Sequence, residues 1–516
     1  MANNVHLLVL VHGMWGNPAH LYEMERKIVY INKKRVASGG NPPEELHVLA
    51  AITNVENYTY DGVDHGGERV AEEILKEVKK LQENRQVVTK FSITGYSLGG
   101  LVSRYAIGVL HQRKFFEKVS PVNFNTFATP HIGLPRYPNF FSALAHSLGP
   151  KLLSRTGEQF FAVDKWSPSG RPLLAVMADP DRIFYQALEL FPHKTIYANA
   201  INDLTVPYVS AAIEAEDPFL NHAINGIDMK FQVHYHNLIE SWDFPTDPSL
   251  PRNYTPRDAA PFFPVKFPYN MIIYLSLPIL VPAVIGMVYV RVSRAGRESR
   301  KRVEEIEKSD SYDSKLIHAI SELEKQMEDK VADFIDIQTA QEKPSKEKEE
   351  NKWWMPCSRK REGEHACFCS CKKKELLATE VVASESGSVS SGSPSDEKKT
   401  KGGFVSLFKR NSRAPTPDPS SETSSITETD SKTEETRKCK WSSAKKSPPK
   451  MDTPVLLDVQ REMIERLNKL TNLKKERAFY DDTRNSHASI VCRGDREFDL
   501  EYVDSALRHW ADMFVF

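Results

Sequence analysis

The first half of the chain alternates short apolar runs with longer segments in which apolar side chains recur at helical spacing. Five apolar runs are predicted to be strands: residues 5–13, 46–53, 90–96, 122–129 and 194–203. They are too continuously apolar for a half-exposed sheet, which is typical of parallel strands covered by helices on both faces. Residues 66–84 place Val70, Ile74 and Val78 on one stripe, which predicts an amphipathic helix. This alternation predicts an α/β fold with a mostly parallel sheet.

A longer apolar run follows this region. Residues 271–290 carry no charged side chain, and the run is long enough to cross the hydrocarbon of a bilayer as a helix. A basic cluster comes next, which favours anionic headgroups on the cytoplasmic side of a membrane. Its members are Arg291, Arg294, Arg297, Arg300, Lys301 and Arg302. We therefore predict a membrane segment over residues 265–292. Pro278 and Pro282 disfavour a continuous helix, so a re-entrant hairpin is the alternative to a transmembrane helix.

The composition of the chain changes twice after this apolar run. Residues 293–342 have helical spacing and predict a helical surface segment. Residues 343–450 are rich in Ser, Thr, Lys and Glu and poor in aliphatic side chains, which predicts a disordered insert. Residues 451–516 regain order, with helices predicted over 455–470 and 498–516 and a strand over 474–482. We expect this last part to complete a folded domain whose main part is residues 1–250.

Composition excludes some classes of function. The 69 basic residues balance 69 acidic ones, so nothing favours nucleic acid as a partner. The six cysteines begin only at Cys357, and the N-terminus has no basic segment before its apolar run. Both features predict a reducing compartment, no signal peptide and a catalytic domain on the cytosolic side. The cluster of Cys367, Cys369 and Cys371 lacks zinc-site spacing, so we expect no metal or other cofactor, and S-acylation is an alternative there.

The sequence Gly95-Tyr96-Ser97-Leu98-Gly99 carries the main chemical signal. This G-x-S-x-G pattern lies between a predicted strand and a predicted helix, where a serine is exposed on a sharp turn and acts as a nucleophile. The oxyanion hole in such folds uses the N–H that follows the serine, here Leu98, and one from an early loop. The Met14 N–H in "VHGMWGN" is the candidate for that second donor. His12 precedes Met14 and is expected to support this loop.

The acid and the base must follow the serine in the order Ser, Asp, His. Asp203 ends an apolar strand and is the preferred acid, with Asp179 and Asp181 as alternatives. His487 lies between a predicted strand and the C-terminal helix, which is where the fold places its base. His236 is the runner-up.

The order of these residues constrains the membrane segment. Ser97 and Asp203 precede residues 271–290, whereas His487 follows them. A single crossing would put parts of one active site on opposite sides of the membrane. We therefore predict that the segment enters and leaves the membrane by the same face. Aromatic-rich residues 136–150 and 181–192 lie where such folds carry a lid or acyl pocket, although a helical core explains them equally well.

Several stretches together resemble a known family: "VHGMWGNP", "YDGVDHGGERVAEEI", "ITGYSLGGLVSRYAIG", "NFNTFATPHIGL" and "NDLTVPYVSA". They are similar to the serine esterases first described as a domain of unknown function, and in particular to fungal lipases and phospholipases of lipid droplets. The likeness covers residues 4–245 and resumes near 470–495.

This resemblance implies an α/β-hydrolase that cleaves acyl esters of glycerolipids at a lipid droplet or the endoplasmic reticulum. The expected substrates are monoacylglycerols, lysophospholipids or phospholipids. Ser97, Asp203 and His487 lie in matching positions. A catalytically silent lipid-binding adaptor and a protein-acyl thioesterase are the alternative functions.

Overall fold

The computed structural model describes residues 3–39, 44–222, 225–244, 269–308, 453–493 and 504–516. The chain divides into two units, one formed by Met1–Pro344 with Ser447–Phe516 and the other by Ser345–Lys446. All described residues belong to the first unit. The predicted helices over 309–342, the insert over 343–450 and its cysteine cluster lie outside the described residues.

Eight strands form one sheet in the order β2-β1-β3-β4-β5-β8-β7-β6. The strands are β1 (Asn3–Val11), β2 (Glu45–Ala50), β3 (Gln86–Tyr96), β4 (Ser120–Phe127), β5 (His193–Asn199), β6 (Asp228–Gln232), β7 (Tyr235–Asp243) and β8 (Leu473–Ala478). The six strands β2, β1, β3, β4, β5 and β8 pair with one another in parallel. In this sheet, β7 pairs antiparallel with β8, and β6 pairs antiparallel with β7. This mostly parallel sheet with helical crossovers confirms the predicted α/β-hydrolase fold class.

The helices lie between and after these strands. The described helices are α1 (Tyr22–Ala37), α2 (Val63–Glu83), α3 (Leu98–Gln112), α4 (Phe140–Leu152), α5 (Ser154–Phe160), α6 (Leu173–Met177), α7 (Ile183–Glu189), α8 (Tyr208–Ala211), α9 (Tyr269–Lys308), α10 (Asp458–Leu467), α11 (Ser486–Ser489) and α12 (Ser505–Asp512). Of the predicted C-terminal helix, the described residues 504–516 are helical from Ser505 to Asp512, and residues 498–503 lie outside the described residues.

The core lies on both faces of the sheet, as strand β1 illustrates. Leu7 and Val9 face the cluster that includes α2 and α3, whereas Leu8 and Leu10 face a second cluster that includes Trp510 of α12. All four β1 side chains are fully buried. Because successive side chains of a strand point to opposite faces, a strand covered on both sides must be apolar throughout. Each buried side chain of this kind contributes about 1.5–3 kcal/mol.

The C-terminal part supplies a central strand. β8 pairs in parallel with β5, with Thr195 opposite Lys474 and Asn199 opposite Ala478. The Ala200 N–H continues the ladder by donating to the Ala478 carbonyl at 2.7 Å. Because β8 lies between β5 and β7, the sheet is complete only when both sequence regions come together.

Helix α9 runs without a break through Pro278 and Pro282. The chain therefore does not reverse direction at these prolines, which corrects the expectation of a re-entrant hairpin within residues 269–308. Each proline removes one helical hydrogen bond, and the bonds on either side continue the helix.

The two halves of α9 have different environments. Most apolar side chains from Leu275 to Val290 are exposed, with Ile279 at 78%, and Leu277 is half-buried. Ala295, Ser299 and Val303 are buried against the body of the protein. Their spacing places them on one face of the helix. We call residues 275–290 the exposed shank and residues 291–308 the docked half.

Candidate active site

Ser97 occupies a strained turn between β3 and α3. Its backbone has φ 55° and ψ −126°, a conformation that is unfavourable for a side chain other than glycine. The flanking glycines are required by close approach. A Cβ at Gly95 would lie 2.5 Å from the backbone of Gly100, and one at Gly99 would lie 2.1 Å from the Val11 carbonyl oxygen. The G-x-S-x-G pattern therefore has a steric cause, because only glycine lets strand, turn and helix pack this closely.

The structure brings Ser97, His487 and Asp203 into one hydrogen-bonded chain. His487 Nε2 lies 3.0 Å from Ser97 Oγ, and His487 Nδ1 lies 2.9 Å from Asp203 Oδ2. Ser97 is 6% exposed and His487 is 8% exposed. In this geometry the carboxylate accepts from Nδ1–H, which leaves Nε2 free to accept the serine proton.

The Asp203 carboxylate is held by four donors. Its Oδ1 accepts from the N–H groups of Thr205 and Val206, at 2.9 and 2.8 Å. Its Oδ2 accepts from Asn199 Nδ2 at 2.8 Å as well as from His487. The side chain is only 2% exposed. These bonds fix the oxygen that orients the imidazole, and they make Asn199 a supporting residue that the sequence analysis did not identify.

The loop that carries His487 is tied to the loop that carries Asp203. Ser486 Oγ donates to the Ile201 carbonyl at 2.7 Å, and the Ser486 N–H donates to the Asn202 carbonyl at 2.9 Å. These two contacts set the distance between base and acid through the backbone. They were not predicted, because nothing in the sequence pairs residues 201–202 with residue 486.

Tyr96, which directly precedes the nucleophile, also positions the base. Its hydroxyl donates to the His487 carbonyl at 3.0 Å, and its ring centroid lies 5.2 Å from that of the imidazole. Burial raises the pKa of Tyr96 well above its usual value, so the hydroxyl remains a neutral donor. The residue at the variable position before the serine therefore contacts the histidine that is predicted to activate it.

The loop of residues 12–16 lies against the nucleophile. A Cβ at Gly13 would be 2.7 Å from Ser97 Cβ. His12 is buried, and burial lowers its pKa, so its neutral Nδ1–H donates to the Gly13 carbonyl at 3.0 Å. This contact fits the supporting place expected for His12.

Two N–H groups near Ser97 are available to an oxyanion. Leu98 is the first residue of α3, and N–H groups in the first turn of a helix have no partner within that helix. The Met14 N–H makes no hydrogen bond to another described residue. Leu98 follows the serine in sequence, and Met14 follows Gly13, whose backbone lies against Ser97. The two predicted oxyanion donors are thus free to donate to a ligand oxygen.

The alternative acids and bases lie in other surroundings. His236 is exposed on β7, and Asp181 is exposed. Asp179 forms ion pairs with Arg171 and Arg466, at 2.7 and 3.1 Å. Its carboxylate therefore links two other segments of the fold. Within the described ranges, no cluster of His, Cys, Asp and Glu side chains is arranged to hold a metal ion.

A nucleophile elbow, a parallel sheet and a Ser-His-Asp chain in this order define an α/β-hydrolase of the serine-nucleophile type. Residues 1–215 match the model of the family described as "Putative serine esterase (DUF676)". This match confirms, for those residues, the resemblance noted in the sequence.

Two curated fungal relatives are similar over part of the chain. "Putative lipase C4A8.10" of Schizosaccharomyces pombe is 30% identical over 243 residues, which are 46% of this chain and 30% of that protein. "Putative lipase ROG1" of Saccharomyces cerevisiae is 31% identical over 210 residues, which are 40% of this chain and 28% of that protein. The chain thus spans less than a third of the length of these relatives.

Solved structures overlap only weakly with the whole chain. The structure described as "the putative cell surface hydrolase from Lactobacillus plantarum WCFS1" is 16% identical, and the match covers 41% of this chain and 75% of that chain, with a TM-score of 0.23. The fold assignment therefore rests on the strand order and on the site geometry described above.

Proposed function

We propose that the protein is a membrane-associated serine hydrolase that cleaves the acyl esters of glycerolipids. Monoacylglycerols, lysophospholipids and phospholipids are the substrate classes. The observation that carries the proposal is the chain from Ser97 Oγ through the His487 imidazole to the Asp203 carboxylate, with contacts of 3.0 and 2.9 Å. The serine esterase family match and the names of the fungal relatives support the same class of reaction.

The geometry supports a two-step mechanism through an acyl-enzyme. Ser97 Oγ attacks the acyl carbonyl carbon while His487 Nε2 takes its proton. The N–H groups of Leu98 and Met14 donate to the oxyanion of the tetrahedral intermediate. His487 then protonates the leaving glycerol oxygen, and the carbon–oxygen bond of the ester breaks.

Water completes the cycle. It attacks the acyl carbon as His487 removes its proton, and the same histidine returns a proton to Ser97 as the fatty acid leaves. Asp203 holds the Nδ1–H tautomer and stabilises the imidazolium in both steps.

The exposed shank of α9 supports contact with a lipid surface. Among the described residues, one helix is long and apolar enough to cross a membrane, and its apolar window has a mean hydropathy of 1.9 with none of it buried. The exposed shank of 16 residues, 275–290, would be about 24 Å long at the usual rise of a helix. The arginines that follow it favour anionic headgroups.

Helix α4 adds a second apolar surface. Phe140 is 73% exposed and Phe141 is 80% exposed. The C-terminal end of α4 contacts α9, since Arg300 donates to the Lys151 carbonyl at 3.1 Å. Such large exposed aromatic side chains are typical of interaction surfaces. They support a substrate that is presented by a lipid layer.

The connections of α9 favour insertion from one face. β7 ends at Asp243 within the sheet, and the docked half of α9 packs on the same unit. A complete crossing by the exposed shank would require residues 245–268 to return through hydrocarbon with Arg252, Arg257 and Lys266. We therefore place the enzyme on the cytosolic face of the endoplasmic reticulum or on the phospholipid monolayer of a lipid droplet.

Hydrolysis assays on the purified full-length protein test this function. Monoacylglycerol, lysophospholipid and phospholipid are supplied in mixed vesicles, and released fatty acid is measured. We expect release by the wild type and none by Ser97→Ala. Ser103→Ala is the matched control, because Ser103 is a buried serine of α3 that donates to the Gly99 carbonyl. An inactive wild type would support a silent lipid-binding protein instead, and activity that survives Ser97→Ala would remove Ser97 as the nucleophile.

A further inference from the structure

A short turn lies between the membrane helix and the proposed oxyanion loop. This bridge turn comprises residues 56–61, at the N-terminal side of α2. Arg302 of α9 contacts it on one side. Its Nη2 donates to Asp61 Oδ1 at 2.8 Å and to the Asn57 carbonyl at 3.0 Å. Its guanidinium lies 4.9 Å from the centroid of the Tyr58 ring. Arg302 is therefore the main polar link between α9 and the bridge turn.

Asp61, which accepts the hydrogen bond from Arg302, is also held by a second arginine. The Asp61 side chain is fully buried and also accepts from Arg69 Nη1 at 2.9 Å. Because Arg69 remains when Arg302 is removed, Asp61 keeps one charged partner. A substitution of Arg302 should therefore loosen the docking of α9 without leaving a buried charge alone.

The opposite side of the bridge turn holds Trp15 and Gly16. The Trp15 N–H donates to Thr59 Oγ1 at 3.2 Å, and Trp15 Nε1 donates to the Tyr60 hydroxyl at 2.7 Å. The Glu56 N–H donates to the Gly16 carbonyl at 3.1 Å. Three bonds thus fasten the segment that follows Met14 to the bridge turn.

These bonds hold an unfavourable backbone conformation. Trp15 has φ 53°, in the left-handed region that side chains other than glycine rarely adopt. Such a conformation persists only when the surrounding contacts impose it. Met14 directly precedes Trp15, so a shift of the Trp15 backbone would also displace the peptide group that carries the Met14 N–H.

We propose that Arg302 is a positioning residue for the reaction, acting through the bridge turn on the Met14 N–H. The inference rests on the proposed function, because it takes Met14 as an oxyanion donor. The docked half of α9 fixes the position of the bridge turn. The bridge turn fixes Trp15 through its hydrogen bonds, and Trp15 in turn fixes the position of the Met14 N–H. The membrane helix thus contributes to transition-state stabilisation as well as to attachment.

The first test compares Arg302→Met with the wild type on a water-soluble short-chain ester. Removal of a whole oxyanion donor lowers kcat by roughly 10²–10³-fold, and partial displacement should lower it by about tenfold. KM should stay within about twofold, since the donor acts mainly in the transition state. Affinity for a boronic acid, which binds the serine as a tetrahedral anion, should fall by the same factor as kcat. A rise in KM with unchanged kcat would overturn the proposal.

Lys308→Met is the matched control. It removes a positive charge from the same helix, at an exposed residue whose partner is Glu304. We expect kcat and boronic acid affinity equal to those of the wild type. An equal loss in both variants would mean that helix charge alone matters, which contradicts the proposal.

A double-mutant cycle identifies the route of the effect. Trp15→Phe keeps an aromatic ring at this position and removes the indole N–H that donates to the Tyr60 hydroxyl. If Arg302 acts through Trp15, the kcat of the double variant should lie within about twofold of the kcat of the less active single variant. Effects on kcat that multiply would show two independent causes and would contradict this route.

Amide hydrogen exchange separates this proposal from the proposed function. Exchange in a peptide that covers residues 12–17 should rise in full-length Arg302→Met and stay unchanged in Lys308→Met, whether or not the protein hydrolyses esters. Unchanged exchange in Arg302→Met would overturn the coupling. An inactive wild type with raised exchange in Arg302→Met would instead refute the hydrolase function and leave the mechanical link standing.

Discussion

His487 Nε2 lies 3.0 Å from Ser97 Oγ although the two residues are 390 positions apart in the chain. The contact exists because β8 pairs with β5, which places the loop after β8 beside the turn after β3. The candidate site is therefore assembled from two regions of the sequence that are separated by helix α9 and by a long polar stretch. The predictions below follow from this assembly.

The first prediction concerns the choice of base. His487→Ala should lower kcat for ester hydrolysis by at least about 10³-fold, because the serine loses its proton acceptor. His236→Ala is the matched control at an exposed residue of β7, and it should leave kcat unchanged. Steady-state kinetics on a soluble ester measure both. The reverse pattern would make His236 the base and would remove His487 from the mechanism.

A second prediction concerns Tyr96. Tyr96→Phe removes the hydroxyl that donates to the His487 carbonyl and keeps the ring against the imidazole. We expect a loss of about 1 kcal/mol in unfolding free energy from the missing hydrogen bond. We also expect kcat to fall by about three- to tenfold because the imidazole is less well oriented.

Tyr197→Phe is the control for that experiment. Its hydroxyl is buried and hydrogen-bonds to His509 Nδ1 at 2.9 Å, away from the site. It should show a similar loss of stability with unchanged kcat. Equal kinetic effects of the two variants would mean that Tyr96 has no specific part in positioning the base.

A third prediction concerns the close approach at the elbow. In Gly99→Ala the new methyl group would lie 2.1 Å from the Val11 carbonyl oxygen, so the strand and helix must separate. We expect a loss of about 3 kcal/mol or more in unfolding free energy. Gly286→Ala is the control within a helix, since no atom lies within 4 Å of the added Cβ. Denaturant unfolding should show no loss there, because alanine is the better helix former by about 1 kcal/mol.

The fourth prediction concerns pH and the C-terminal helix. Burial lowers the pKa of His509 from 6.5 to about 4 in the folded protein. Between these values the unfolded chain binds the proton more readily than the folded one, so stability falls as the pH is lowered from about 6.5 to 4. The contribution of this one group is at most about 3 kcal/mol.

Thermal unfolding at a series of pH values measures this effect. His509→Gln removes the titrating group and should give a shallower loss of stability between pH 6.5 and 4 than the wild type. His236→Gln changes an exposed histidine and should keep the wild-type slope. A wild-type slope in His509→Gln would show that His509 does not titrate in this range.

The fifth prediction concerns the direction of membrane entry. In a chain whose six native cysteines are replaced, single cysteines at Asp243 and Glu305 flank the apolar run on exposed residues. Both should react with a membrane-impermeant maleimide in intact microsomes. Labelling of only one of the two positions would establish a full crossing and would contradict insertion from one face.

Sequence patterns were sufficient for the parts of the fold that obey local rules. The G-x-S-x-G pattern located the turn at Ser97, and the order of acid and base in this fold pointed to Asp203 and His487. The contacts that fix these groups, such as Tyr96 to His487 and Asn199 to Asp203, depend on loops that meet only after folding. No spacing along the chain predicts them.

Helix α9 shows the same limit. Its apolar run was evident from hydropathy, but two features were not: its continuity through Pro278 and Pro282, and the packing of its docked half on the body. The small side chains of Ala295 and Ser299, at a spacing of one helical turn, are a signal that could have indicated the packed face.

Active-site labelling tests the central claim most directly. Full-length protein is treated with a fluorophosphonate, and the modified peptide is identified by mass spectrometry. A fluorophosphonate reacts with a serine only when a base activates it and an oxyanion hole accepts the new charge. We predict a single adduct on Ser97 that is absent in Ser97→Ala and at least about 10³-fold slower to form in His487→Ala. An unlabelled wild type, or labelling at unchanged rate in His487→Ala, would contradict the account.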